Sequence, residues 1–270
     1  MSDGFHLSSG PSPAVAGIVH GYTAFAYSRA AAGMRRREVA QDKVTVILLL
    51  GSPLSVAGPG EALQPVDSFV APLAASFAVT EDPPAMAGIQ IDLTPIGAAQ
   101  LLGMPLSELA GPIVTPLADV IGAREIALLC ERLASLRGWE ERVAAVDAWI
   151  AKRVAPRPPG RPDLAWMWAL LVRSRGTAHI GTLADSVGCS RRHVERVFGT
   201  TLGVTPKTAA RLVRFQRAVS LVGDARFADV AGSLGFADQA HLNREFRALA
   251  GVTPLEYVRA VRPDGLGIAA

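Results

Sequence analysis

Cysteine is almost absent from this chain: Cys130 and Cys189 are its only thiols in 270 residues. Two thiols cannot build a disulfide framework or a four-ligand zinc site. A reducing cytoplasm is the natural setting for such a protein. Long apolar runs are missing too. No stretch approaches the roughly eighteen residues that a membrane span needs, and the most apolar one, Val44 to Leu50, has the length of a strand. The start, Met1 to Pro13, lacks a basic segment followed by an apolar one, so no signal peptide is read there. The phosphate-cradling pattern Gly-x-x-x-x-Gly-Lys-Ser/Thr, the dinucleotide fingerprint Gly-x-Gly-x-x-Gly and the nucleophile elbow Gly-x-Ser-x-Gly do not occur. The five histidines, at 6, 20, 179, 193 and 241, show no ligand spacing with cysteines or carboxylates. The expectation is a chain that is not an enzyme, with no catalytic residue, cofactor or metal.

What is present is an uneven charge. Residues 1–160 carry 12 Lys+Arg and 15 Asp+Glu, a net of −3, whereas residues 161–270 carry 15 and 9, a net of +6. Such segregation points to a polyanion partner for the basic half. Fourteen of those fifteen cations are arginine, whose planar fork suits phosphate and guanine. The sign changes at Ala155-Pro-Arg-Pro-Pro-Gly-Arg-Pro162, where four prolines block helix continuation. This predicts a linker over 155–162 between an N-terminal domain, 1–154, and a C-terminal domain, 163–262.

Residues 15–95 read as β-rich. Val44 to Leu50 is a buried strand, and Ser68 to Val79 and Met86 to Leu93 are further strand candidates between turn signals. Pro95 to Leu102 reads as a short helix, and two helices are expected between Asp119 and Val154 from apolar residues at three- and four-residue spacing. Beyond the linker nearly everything reads as helix: Asp163–Ser174, Ile180–Val187, Arg191–Thr200, Lys207–Val222, Phe227–Leu234, Gln239–Ala250 and a turn near Leu255–Val261.

The helical half repeats itself. Leu183-Ala184-Asp-Ser-Val187-Gly188-Cys189-Ser190 is echoed by Val230-Ala231-Gly-Ser-Leu234-Gly235-Phe236, and each copy closes on Gly-Val-Thr-Pro, at 203–206 and 251–254. The alanine and glycine pairs are 47 apart and the proline pair 48 apart, so one residue is inserted in the turn. Each copy has the parts of a helix-turn-helix. A small residue, Ala184 or Ala231, lets a second helix cross closely. Four residues on, Gly188 or Gly235 can turn the chain through the left-handed conformation. The outward face of each second helix carries groups able to bond base edges and phosphates: Ser190, Arg191, Arg192, Glu195 and Arg196 in the first, Asp238, Gln239, His241, Asn243 and Arg244 in the second. Ser190 is also a candidate N-cap.

Residues 165–260 resemble the AraC/XylS family of transcription regulators. The likeness is carried by Leu183 to Phe198, by the linking helix Lys207–Val222, and by Ala228 to Phe246 closed by Gly-Val-Thr-Pro-Leu-Glu-Tyr257. The resemblance implies two recognition helices set in successive major grooves. Arg192, Glu195 and Arg196 would read bases from one, and Gln239, Ala240, His241, Asn243 and Arg244 from the other, although Ala240 is small where the family often has a polar residue. Arg211, Arg214 and Arg217 lie on the linking helix, which would mainly space the two units. A weaker likeness over Gly88–Gly103 implies a β-barrel-like sensing domain followed by helices.

The expected fold is therefore α+β, a barrel-like sensing domain with helices ahead of an all-α domain with two helix-turn-helix units. The expected function is that of a cytoplasmic, sequence-specific transcription regulator, with activation as its expected mode, controlled by a small molecule or by self-association. Double-stranded DNA is its expected partner, with a small-molecule effector, a second copy of the chain and RNA polymerase as further candidates and no membrane. The rival is a small-molecule-binding or enzymatic N-terminal domain whose helical tail is an interaction module. Arg35-Arg36-Arg37 reads as a solvated loop, His20 as structural or pocket-lining, and Trp139, Trp149, Trp166 and Trp168 as a packing cluster near the domain junction.

Overall fold

A computed structural model of the chain describes residues 4–28, 33–156, 161–261 and 268–269. The first part is built of two antiparallel sheets. One comprises β1 (Gly4–Ser9), β2 (Val19–Ser28), β4 (Val44–Leu49), β7 (Phe69–Ala71), β9 (Ala85–Leu93) and β10 (Thr115–Pro116), in the order β1-β2-β9-β4-β7-β10. The other comprises β3 (Met34–Glu38), β5 (Leu54–Ala57), β6 (Gln64–Val66), β8 (Ala78–Asp82) and β11 (Ile268–Ala269), in the order β11-β3-β8-β5-β6.

The larger sheet is covered on both faces, which explains the unbroken apolar run of β4. Val44, Val46 and Leu48 face the helices together with Ile89, Ile91 and Leu93 of β9. Ile47 and Leu49 face the smaller sheet, packing with Phe25, Phe69 and Met86 of their own sheet and with Leu54 and Val56 of β5 opposite.

The helical cover consists of α1 (Pro95–Leu102), α2 (Leu117–Ile121), α3 (Ala123–Ser135) and α4 (Trp139–Val154), with a tight turn of 3-10 helix at Leu106–Leu109. Asp147 of α4 ties the helices to the sheet. Its carboxylate accepts from the Ser12 amide at 3.0 Å, the Ser12 hydroxyl at 2.5 Å and the Tyr22 hydroxyl at 2.8 Å.

The second part is helical: α5 (Pro162–Arg173), α6 (Ile180–Ser186), α7 (Arg191–Val197) continued by a wider π turn at Phe198–Leu202, α8 (Pro206–Val219), α9 (Phe227–Ser233), α10 (Gln239–Ala250) and α11 (Pro254–Ala260). These lie within one or two residues of the expected helices almost throughout. α8 is the exception, stopping at Val219 where Val222 was expected, with turns following.

Four expectations need correction. Among the described residues the strands form two separate open sheets, with no hydrogen-bonded closure into a barrel. Ser68 to Val79 is not one strand. Its ends are β7 and the start of β8, and Pro72, which lacks a ladder donor, falls in the loop between them. Arg35 to Arg37 lie within β3 rather than a loop, and Arg36 is buried against Asp82 of β8, with Nη2 to Oδ1 at 2.5 Å. The tryptophans do not form one cluster. Trp168 is buried, Trp166 is exposed under Arg173, Trp139 stacks on Phe5 and Trp149 donates to Glu125. His20 is exposed. Of the expected linker, residues 157–160 lie outside the described residues.

Candidate nucleic-acid interface

The two repeats fold alike around the turn glycine. Gly188 and Gly235 have φ of +64° and +70°, the left-handed region that only glycine enters without a penalty. In the first unit the Cys189 amide donates to the carbonyl of Ala184 at 3.0 Å; in the second the Phe236 amide donates to that of Ala231 at 3.0 Å. Both alanines are buried where the helices cross. The inserted residue is Ala237, placed between the turn and the N-cap of α10. The caps themselves correspond. The Ser190 hydroxyl accepts from the His193 amide at 3.2 Å, and the Asp238 carboxylate accepts from the His241 amide at 2.6 Å.

Apolar residues at helical spacing fix the orientation of each second helix. Val194, Val197 and Phe198 point into the core from α7, and Leu242, Phe246 and Leu249 do so from α10. The opposite faces are thereby turned to solvent. Ser190, Arg191, Arg192, Glu195 and Arg196 are exposed, as are Asp238, Gln239, Ala240 and Arg244, while His241 and Asn243 are half-buried. Arg196 Nη2 lies 3.2 Å from Nδ1 of His193. His241 is partly committed inside the protein. Its Nδ1 accepts from the Ala237 amide at 3.3 Å, and its ring stands edge-on to Phe236.

Two of the three arginines of α8 are structural. Arg211 Nε bonds Glu245 of α10 at 2.6 Å, while Arg214 donates to the Gly176 carbonyl and lies over the Phe236 ring. The third, Arg217, is exposed and among the described residues bonds Ser220 at its own helix end. α8 thus spans about 21 Å at 1.5 Å per residue and is fastened to the second unit.

Sequence reasoning missed His193. It lies on α7 but turns inward, with Nε2 at 3.6 Å from Asp163 and 3.5 Å from Arg161. Burial pushes the Asp163 carboxyl up, but Arg161 and the Leu164 amide outweigh it and hold the group below its ordinary range. A histidine at a polar helix position gives no local hint of such a partner.

The helix-turn-helix units also bear on the β-rich part. The Ala40 amide, between β3 and β4, donates to the carbonyl of Leu249 at the end of α10 at 2.8 Å, and Gln216 of α8 donates to the Ala40 carbonyl. Ser107 donates to the Thr200 carbonyl at 2.7 Å, just after α7. Beside these contacts lies a cavity of about 390 Å³ between the two sheets, within the usual range for small-molecule sites. Phe25, Ile47, Leu54, Val56, Phe69 and Met86 supply its apolar wall, and Gln216, Val219, Tyr257 and Val261 close it from the helical side.

A family model described as a helix-turn-helix domain matches residues 183–260, which span both units. The chain carries a helix-turn-helix domain over these residues. No curated protein matches the chain by sequence. Among solved structures, that of an apo ToxT variant from Vibrio cholerae is 12% identical, with a TM-score of 0.51, covering 88% of this chain and 97% of that one. A wild-type ToxT bound to an unsaturated fatty acid is 12% identical with a TM-score of 0.47, covering 88% and 94%. An AraC-type DNA-binding regulator from Chromobacterium violaceum is 25% identical with a TM-score of 0.36, covering 38% of this chain and 95% of that one. The first of these likenesses shows a shared fold across the β-rich and helical parts. Among the described residues no helix is long and apolar enough to cross a membrane, and no group of His, Cys, Asp and Glu is placed to hold a metal ion.

Proposed function

We propose that this AraC-type regulator reads double-stranded DNA at two sites through α7 and α10, and that a small molecule in the cavity between the sheets controls how those helices are presented. The observation that carries the DNA reading is the duplication itself. Two turns, each closed by an amide bonded to the buried alanine's carbonyl, deliver a capped helix whose polar face is exposed. Arg192, Glu195 and Arg196 read base edges from the first helix. Gln239, Asn243, Arg244 and the half-buried His241 do so from the second. Ser190 and Arg191 lie at the start of α7, where amides and arginine favour phosphate, and the Asp238 carboxylate at the start of α10 accepts from a cytosine amino group.

The control reading rests on the loop at Ala40. It lines the cavity and is bonded to both α8 and α10, so a ligand that moves it acts on the second recognition helix directly. The domains assigned are 1–154 for sensing, 155–162 as linker and 163–262 for DNA. Residues 268–269 then return to the sensing side, as β11 pairs with β3. Selection of bound sequences from random duplex DNA with the purified full chain tests the proposal. A bipartite consensus, with affinity that falls steeply as salt rises, is the expected result. Failure to bind any duplex pool would favour the rival in which the helical part is a protein-interaction module.

A further inference from the structure

The cavity is lined by few charged groups, and their arrangement says what it can hold. Arg36 and Lys43 are the cations of its wall. Arg36 reaches Asp82 at 2.5 Å and lies 3.9 Å from Glu38, and Lys43 Nζ meets Asp92 at 2.5 Å. Two cations thus face three carboxylates. Asp92 is further bonded by Gln90 at 2.9 Å and Thr45 at 3.3 Å, so these two polar side chains of the wall are also taken. An entering anion would find its cations already neutralised and would meet excess negative charge. An entering cation would find Asp82 and Asp92 engaged and Glu38 largely at the rim. Burying an ion without a partner is costly.

The Thr80 hydroxyl is a further polar group of the wall. Thr80 stands on β8 between its register partners Arg36 of β3 and Val56 of β5. It lines the cavity, is only 4% exposed, and among the described residues its Oγ1 meets no protein partner. Buried hydroxyls are ordinarily hydrogen-bonded. The rest of the nearby wall is apolar, from Phe25, Ile47, Phe69 and Met86.

Building on the cavity's role in the proposed function, we infer that its ligand is an uncharged, mainly apolar molecule bearing a hydroxyl or carbonyl that bonds the Thr80 hydroxyl. The charge pairs of the wall then act as a filter against fatty acids and amines of the same shape.

Three probes of equal chain length separate the cases: 1-decanol, decanoate and decylammonium, titrated calorimetrically against the purified full chain. Decanol is expected to bind at least about tenfold more tightly than either ion, given the cost of burying an unpaired charge. Thr80→Val, which keeps the shape and removes the hydroxyl, should weaken decanol about fivefold and leave DNA affinity without ligand unchanged. Ala71→Phe, which fills the cavity, should abolish decanol binding; Ala71→Leu replaces it if the larger side chain prevents folding. Tighter binding of decanoate or decylammonium would overturn the inference while leaving the cavity as a ligand site. Decanol binding that is indifferent to Thr80→Val, or that survives filling of the cavity, would overturn it as well. If none of the three probes binds, the inference falls together with the ligand reading of the cavity.

Discussion

Phe77 occupies the space that a side chain at Gly251 would need: a β-carbon there would lie 2.8 Å from the Phe77 ring. Gly251 ends α10 with φ of +72°, and its counterpart Gly203, with φ of +71°, is approached at 3.0 Å by the Leu106 carbonyl and the Ser107 Cα. Both Gly-Val-Thr-Pro turns are therefore gripped by the N-terminal part. Gly235 has a similar φ but open space around it, with its nearest neighbour at 3.8 Å. Gly235→Ala should cost about 1–2 kcal/mol, from the left-handed conformation alone. Gly251→Ala adds overpacking, of about 1–3 kcal/mol, and Phe77→Ala should relieve that excess. Denaturant unfolding of the three variants and the double variant gives the comparison. Equal costs for Gly235→Ala and Gly251→Ala would mean that the Phe77 contact carries no energy.

Arg211 should matter for stability and not for base choice. Its Nε holds the mostly buried Glu245 carboxylate at 2.6 Å, joining α8 to α10. Both side chains keep some solvent access, so the pair is worth far less than a fully buried one. Arg211→Ala should lower unfolding free energy by about 1 kcal/mol and leave the selected DNA consensus unchanged. A changed consensus would place Arg211 among the reading residues instead.

The helical half was legible because its signals are local. Glycine turns, Ser or Thr before Pro, and apolar residues at three- and four-residue spacing each act within one helix or turn, and α5 to α11 follow them closely. The N-terminal half was less legible because strand pairing is not local. Arg36 reads as a loop cation until Asp82, 46 residues on, is brought beside it by the β3–β8 ladder. The same holds for the interface. Nothing in the pattern around Phe77 or Ala40 indicates that they meet Gly251 and Leu249. The exposed faces of α7 and α10 were visible from the repeat, but the inward turn of His193 was not, since its partner Asp163 lies in another helix.

Asp147 should give the protein an acid-sensitive anchor. Burial raises its carboxyl, but three hydrogen bonds from Ser12 and Tyr22 outweigh that and hold it below the ordinary range. A group depressed in the folded state adds stability above its unfolded value, near 3.9, and loses it as pH falls through the folded value. Tyr22 mirrors this, its hydroxyl pushed up by burial and by the same carboxylate. Asp147→Asn should cost about 1–2 kcal/mol at neutral pH, and the gap between variant and wild type should close below about pH 4. Unfolding curves from pH 3 to 7 (an ordinary titration series) measure this, and a pH-independent gap would count against the anchor.

Arg196 offers the sharpest test of sequence reading. It is exposed on the outward face of α7, one turn beyond Arg192, and its guanidinium is steadied by His193 at 3.2 Å. Bidentate bonding to a guanine edge would use its fork fully. Arg196→Ala should then cost about 1–3 kcal/mol against the selected site and relax preference at one base pair, leaving the half-site read by α10 intact. Arg196→Lys keeps the charge but not the fork, so it should restore the salt dependence without restoring base preference. If instead Arg196→Ala weakens all duplexes equally and Arg196→Lys rescues them equally, Arg196 contacts phosphate. The reading of that half-site would then pass to Arg192 and Glu195.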